Sequence, residues 1–259
     1  MAKHDYDYVH NCQLTLGCVV ILVARHEVWG MTLDRNGVIS VGLILTEMYP
    51  FYGAVLATES MRLANKYANR KAFDWAFISE DGTPVAASNG MSLTAEAATN
   101  VSKLDYAIVI AGYDQDRTPH PRIKGLLRRL SRHGAVIGAV DSGAFVLAEA
   151  RVLTGQATAI HFESKSSFQH RYPSIPVVEA PVSISPKVMT CGGGALVIRL
   201  ILSITRTRIG EVIADQIEVD FHSPGCYREV EKLSSNPYRG GLRASMMSLP
   251  SWSERLTRR

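Results

Sequence analysis

The sequence predicts an α/β domain with a doubly wound, mostly parallel sheet and helices on both faces, of the flavodoxin-like kind. Three observations carry that prediction. Short, nearly all-apolar runs such as VISVGLILT (38–46), DYAIVIAG (105–112) and GAVIGAV (134–140) have the length of strands covered on both faces. Stretches with helical periodicity alternate with these runs. No internal repeat or low-complexity tract interrupts the alternation.

Taken in order, the run 38–46 predicts the first strand, and GAVLATESMRLANKYA (53–68) follows as a helix with Val55, Leu56, Met61, Leu63 and Ala64 on one face. DWAFIS (74–79) is a second strand, and EDGTPV turns through Asp-Gly and Pro into a short one. After the strand 105–112 and the polar loop DQDRTPHP, residues 121–133 form a basic helix. The strand 134–140 runs into a tight turn at Asp141. ATAI (157–160) and IPVVEA (175–180) read as strands, with a helix between them over FESKSSFQHRY. PKVMTCGGGALVIRLILSITR gives a strand, a glycine turn and a long apolar helix, and GEVIADQIEVDF (210–221) a last helix. Residues 1–36 are expected to be an N-terminal extension of doubtful order, 37–221 a single ligand-binding domain, and 222–259 a basic linker or tail.

The net charge of +4 is concentrated at one end. From Gly225 onward there are seven Arg and Lys against three Glu, so the remainder balances to zero. A solvated tail is expected, with nucleic-acid contact the alternative. Four cysteines, Cys12, Cys18, Cys191 and Cys226, show neither CxxC nor zinc spacing, which fits a reduced cytoplasmic setting without metal. The apolar stretch LTLGCVVILVA (14–24) falls well short of the roughly 20 residues that span a bilayer, so no membrane association is expected. Met31 is a candidate start, which would make residues 1–30 dispensable.

The chemistry should gather at GAVIGAVDSGAFVLAEA (134–150). A strand ending at Val140 and a helix opening near Ser142 put Asp141 on a sharp bend flanked by Gly138, Ala139, Gly143 and Ala144. That is the layout of a nucleophile elbow, whose bend exposes one side chain beside free backbone N–H groups. The residues by themselves favour a plainer reading, in which Asp141 is a helix N-cap.

The stretch GAVIGAVDSGAFVLAEARVLTGQATAIHFE (134–163) resembles the elbow region of the ThiJ/PfpI superfamily, which has a class I glutamine-amidotransferase-like fold. With ESMRLAN (59–65) and TCGGGALVIRLIL (190–202) in the same order and spacing, it most resembles the sensor domain of GlxA-like AraC-family transcriptional regulators. In the catalytic branches the elbow residue is a cysteine and a Glu follows the first strand; here those positions are Asp141 and Gly53. His161 matches the family's histidine beyond the elbow. The resemblance therefore implies a non-catalytic member, with no catalytic residue and no cofactor. Cys191 is read as a packing residue. The expected ligand site comprises Asp141, Ser142, Gly143, His161, Gly112, Gly192 and Gly193, with the strand end AGYD (111–114) at the same edge.

A carboxylate there favours a cationic group, and the regulator branch is associated with quaternary amines and amino-acid-like metabolites. A homodimer is expected on the same resemblance. Arg151 stands where those regulators usually have Gly at a helix end, and Arg199 where they usually have Asp. Arg199, Arg206 and Arg208 are taken as solvated, with pairing to a neighbouring element the alternative. Two helix-turn-helix motifs need about 100 residues, more than follow Phe221, so DNA contact is expected only through a missing or separate domain. The leading expectation is thus a sensing domain of a transcriptional regulator; the alternative is a hydrolase, amidase or lyase using Asp141 and His161.

Overall fold

The computed structural model describes residues 37–112 and 119–221. The expectations for residues 1–36 and 222–259, Cys12, Cys18 and Cys226 among them, and for Tyr113 and Asp114 lie outside those residues.

The chain alternates as predicted. Strand β1 (Ile39–Leu45) leads to α1 (Phe51–Tyr67) and β2 (Phe73–Ser79). A small antiparallel hairpin, β3 (Val85–Ala86) and β4 (Ser92–Leu93), precedes the short β5 (Glu96–Ala97). Then come β6 (Tyr106–Ala111), α2 (Pro121–Arg132), β7 (Val136–Asp141) and α3 (Gly143–Glu149). The remainder is α4 (Lys165–Arg171), β8 (Val182–Ile184), β9 (Val188–Cys191), α5 (Val197–Arg208) and α6 (Glu211–Phe221). Single 3₁₀ turns at Phe162–Ser164 and Gly194–Leu196 lead into α4 and α5.

Seven strands form one sheet in the order β5-β2-β1-β6-β7-β9-β8, parallel throughout except for the edge strand β8. One apolar core lies between the sheet and α1, α5 and α6; the other lies between the opposite face and α2, α3 and α4. Covering on both faces explains why β6 is buried at every residue and reads as a continuous apolar run. The chain winds one way from β1 to β2 and the other way from β6 to β7, so the order reverses between β1 and β6. In open sheets of this kind, ligands bind beyond the carboxyl ends of the strands at that reversal.

Several predicted features differ. Helix α1 buries Gly53, Ala54, Ala57, Ser60, Met61, Leu63 and Ala64, whereas Val55 is exposed and Leu56 half-buried. Met61, Leu63 and Ala64 are buried as predicted, and the rest of the stripe is made of Gly53, Ala54, Ala57 and Ser60, small residues that a search for large apolar side chains passes over. The segments 157–160 and 175–180 are not strands; they share only an isolated bridge between Thr158 and Val177. Pro173, Pro176 and Pro181 break the run, and the Ala159 N–H goes to the Thr190 hydroxyl at 2.8 Å instead of to a ladder. Arg206 is not merely solvated: its guanidinium reaches Glu211, Asp215 and Glu218, tying α5 to α6. Arg151 takes φ +58°, the left-handed conformation that a Gly at this helix end would adopt without strain.

Asn65 closes the turn from α1 into β2. Its Oδ1 accepts from Ala72 N–H at 2.8 Å and Phe73 N–H at 2.6 Å, and its Nδ2 donates to the Phe73 carbonyl at 2.9 Å. Ala72 and Phe73 are fully buried, so no water replaces these bonds. Asn65→Ala should cost about 2–4 kcal/mol, a fall in Tm of about 4–16 °C by thermal melting. Asn65→Asp, which keeps both accepted bonds, should lose less.

Candidate functional site

The sheet register brings the predicted residues to one edge. Asp141 is the last residue of β7 and pairs with Ala111 of β6, so Gly112 lies beside the elbow. Val140 pairs with Cys191 of β9, which places Gly192 on the other side of Asp141. Asp141 has φ +62°, in the left-handed region, and this strained residue turns the chain from sheet into helix. The turn fits because Gly143 lies under β6: a Cβ there would sit 2.7 Å from the Val109 carbonyl oxygen. At Gly112 a Cβ would sit 2.1 Å from the Met48 carbonyl oxygen.

Asp141 is not an N-cap. No side chain caps α3, and the Ser142 N–H donates to the Ala111 carbonyl at 3.1 Å. The residue's φ explains this, since an N-cap needs extended backbone. Its Oδ1 instead accepts from the Ser142 hydroxyl at 3.2 Å, and that hydroxyl also meets the Ser164 hydroxyl at 3.0 Å. Burial pushes the Asp141 carboxyl above the usual carboxylate range, opposed by the nearby His161 and the bond from Ser142.

His161 is held by its backbone, whose N–H donates to the Asp141 carbonyl at 3.4 Å. Its Nδ1 lies 3.7 Å from the Glu163 carboxylate, and its ring packs on Phe162 at 4.6 Å between centroids. Phe162 is 77% exposed, an aromatic rim beside the elbow. In the glycine turn, Gly192 and Gly194 are fixed by packing: a Cβ would meet the Ile160 carbonyl oxygen at 2.8 Å and the Tyr52 ring at 2.6 Å, respectively. Gly193 has extended backbone and open space where a Cβ would be. Gly53 lies against Gly194, 3.3 Å from a built Cβ to its Cα. Cys191 is fully buried, its thiol pushed up to about 12 mainly by burial and directed at the Gly193 carbonyl. It holds no thiolate near neutral pH.

Ser164, Tyr52 and Phe162 also stand at this edge, and sequence reasoning did not single them out. Ser164 meets Ser142 across 22 positions of sequence, a distance no local motif encodes. Among the described residues there is no cluster of His, Cys, Asp and Glu able to hold a metal ion. Nor is any helix among them long and apolar enough to cross a membrane.

A model of the DJ-1/PfpI family matches residues 57–206. The chain belongs to the DJ-1/PfpI family. It is 34% identical over 179 residues to the HTH-type transcriptional regulator CdhR of Pseudomonas aeruginosa, covering 69% of this chain and 53% of that protein. It is 29% identical over 186 residues to the HTH-type transcriptional regulator GlxA of Rhizobium meliloti, covering 71% and 57%. The chain thus spans about half the length of these curated relatives. Among solved structures, an AraC family transcriptional regulator from Pseudomonas putida superposes with a TM-score of 0.65 at 26% identity, covering 71% of this chain and 99% of that one. Drosophila melanogaster DJ-1beta shares the fold, with a TM-score of 0.59 at 17% identity over 71% of this chain and 98% of that one.

The raised Asp141 pKa has a definite sign. A carboxyl that holds its proton more tightly in the folded state stabilises the fold at low pH, and that contribution is lost as pH rises through its folded pKa. Asparagine tolerates left-handed backbone as aspartate does and carries no charge. Asp141→Asn should therefore melt above the wild type at neutral pH. The gap should close as pH falls below the ordinary carboxylate range, read by thermal melting across pH.

Proposed function

We propose that residues 37–221 form the small-molecule-sensing module of a transcriptional regulator, with the Asp141 elbow as a binding site and not a reaction centre. The observation that carries this reading is the elbow itself: the strained turn that displays a side chain is intact, but it displays a half-buried carboxylate. A desolvated carboxylate is stabilised by a cationic group, and the exposed Phe162 ring is placed to add a face for one. Asp141, Ser142, Gly143 and His161 would form the floor, with Gly112, Gly192 and Gly193 at its margins. The relatives being HTH-type transcriptional regulators supports a role in transcriptional control. On this reading DNA sequence is read by a separate part and the module acts as a homodimer, the symmetric pair being the commonest assembly of soluble proteins.

Three observations speak against turnover at this site. A carboxylate does not supply thiolate chemistry, and Cys191 is sealed and protonated. At Gly53, where the catalytic branches resembled by the sequence place a Glu, the backbone of Gly194 is in contact.

A ligand at about 100 times its Kd adds about 2.7 kcal/mol of stability. In a thermal-shift screen of quaternary amines, betaines and amino acids, at least one should raise the Tm by about 5 °C or more. Asp141→Asn should abolish that shift. A ligand that stabilises both proteins equally would remove Asp141 from the site, and a screen without a stabilising compound would count against the sensing role. Gly193→Ala, which fills open space, should melt like the wild type while weakening the ligand-induced shift.

A further inference from the structure

We propose that the exposed face of α2, with the adjoining edge of the sheet, is a docking surface for the phosphate backbone of duplex DNA. This rests on the reading of the protein as part of a transcriptional regulator, but it uses a surface remote from the elbow. Helix α2 buries Ile123, Leu126, Leu127 and Leu130, and turns Arg128, Arg129 and Arg132 to solvent. Arg129 donates to the Val101 carbonyl, which brings the loop bearing the exposed Lys103 alongside the helix. Val136 N–H donates to the Asp105 carbonyl and Ile137 N–H to the Lys187 carbonyl, so exposed Lys187 enters at the same edge.

Among the described residues, none of Arg128, Arg129, Arg132, Lys103 and Lys187 forms an ion pair with a carboxylate. Asp105, the carboxylate nearest in sequence to this edge, is turned inward onto the Ser40 N–H and hydroxyl at 2.8 and 2.7 Å. Arginines in a last helical turn suit the helix dipole, which accounts for Arg129 and Arg132. It does not account for lysines arriving from two other segments.

The face also lacks what a protein partner would need. No large apolar side chain is exposed on α2. The two exposed at the adjoining edge, Val38 before β1 and Ile184 of β8, are separated by β6, β7 and β9, so they form no apolar centre of the kind on which stable protein interfaces are built. Charge without apolar anchors fits a polyanion, and Arg128 and Arg132, four residues apart, stand side by side on one face. This edge holds the amino ends of β6, β7 and β9, and the elbow lies at their carboxyl ends. A ligand and DNA can therefore be held at once.

The test is fluorescence anisotropy of a labelled random-sequence duplex with the full chain, from about 50 to about 200 mM salt. The wild type should bind with an affinity that falls steeply with salt. Arg128→Gln/Arg132→Gln, which removes two phosphate contacts, should flatten the slope of log K against log salt by about 2. Its melting temperature should fall by no more than about 4 °C, the helix-dipole contribution of Arg132. A second variant neutralises Arg239, Arg243, Arg255, Arg258 and Arg259 and separates this surface from the basic residues beyond Phe221. If that variant loses binding while Arg128→Gln/Arg132→Gln binds like the wild type, the proposal is overturned. It is also overturned if the wild type does not bind the duplex. The amine thermal shift reads the elbow separately, so failure here leaves that test intact.

Discussion

The left-handed turn at Asp141 is the constraint on which the site depends. A non-glycine residue at φ +62° is held there against a cost of about 1 kcal/mol or more. What holds it is close backbone packing on three sides: Gly143 against β6, Gly112 against the loop after β1, and Gly192 against Ile160. The strain fixes Asp141 at the carboxyl edge of the sheet, one residue ahead of the Ser142 cap position, where its carboxylate is held by Ser142 and caps no N–H inside α3. A carboxylate set free of the cap and partly desolvated is available to a ligand.

The neighbours of that carboxylate form a connected set. Ser142 is 6% exposed and its hydroxyl links Asp141 to Ser164, while His161 is anchored by its own N–H to the Asp141 carbonyl. The 3₁₀ turn that carries Phe162 and Ser164 therefore depends on the elbow for its position. A ligand that draws on the Asp141 carboxylate would pull on hydroxyls from two elements and on the aromatic rim between them. Beyond this turn, Glu149 at the end of α3 pairs with Lys124 of α2 and Arg171 of α4, so the elements flanking the elbow are joined on this face of the sheet.

Most of the fold was legible because both faces of the sheet are covered, so the central strands announce themselves as apolar runs. Reading failed where tertiary contacts replaced periodicity. Much of the buried stripe of α1 is Gly53, Ala54, Ala57 and Ser60 beside the predicted Met61, Leu63 and Ala64, and the segments near Thr158 and Val177 look like strands yet are cut by prolines. At the site, the elbow was visible in its glycines, and the register brings Gly112 and Gly192 beside it. The N-cap reading failed because composition does not reveal the sign of φ at Asp141. Ser164 and Tyr52 were invisible because only the folded chain brings them to Ser142 and Gly194. The run of three glycines was legible, but not its division into two that packing requires and one that faces open space.

The central claim is that Asp141 is a binding carboxylate. It is tested most directly by NMR titration of the Asp141 side-chain carboxyl, assigned with Asp141→Asn, with and without a quaternary amine that stabilises the protein. The account predicts a carboxyl that titrates above the usual aspartate range in the free protein and shifts downward when the cation is bound. A carboxyl whose titration is unchanged by the bound amine would contradict it.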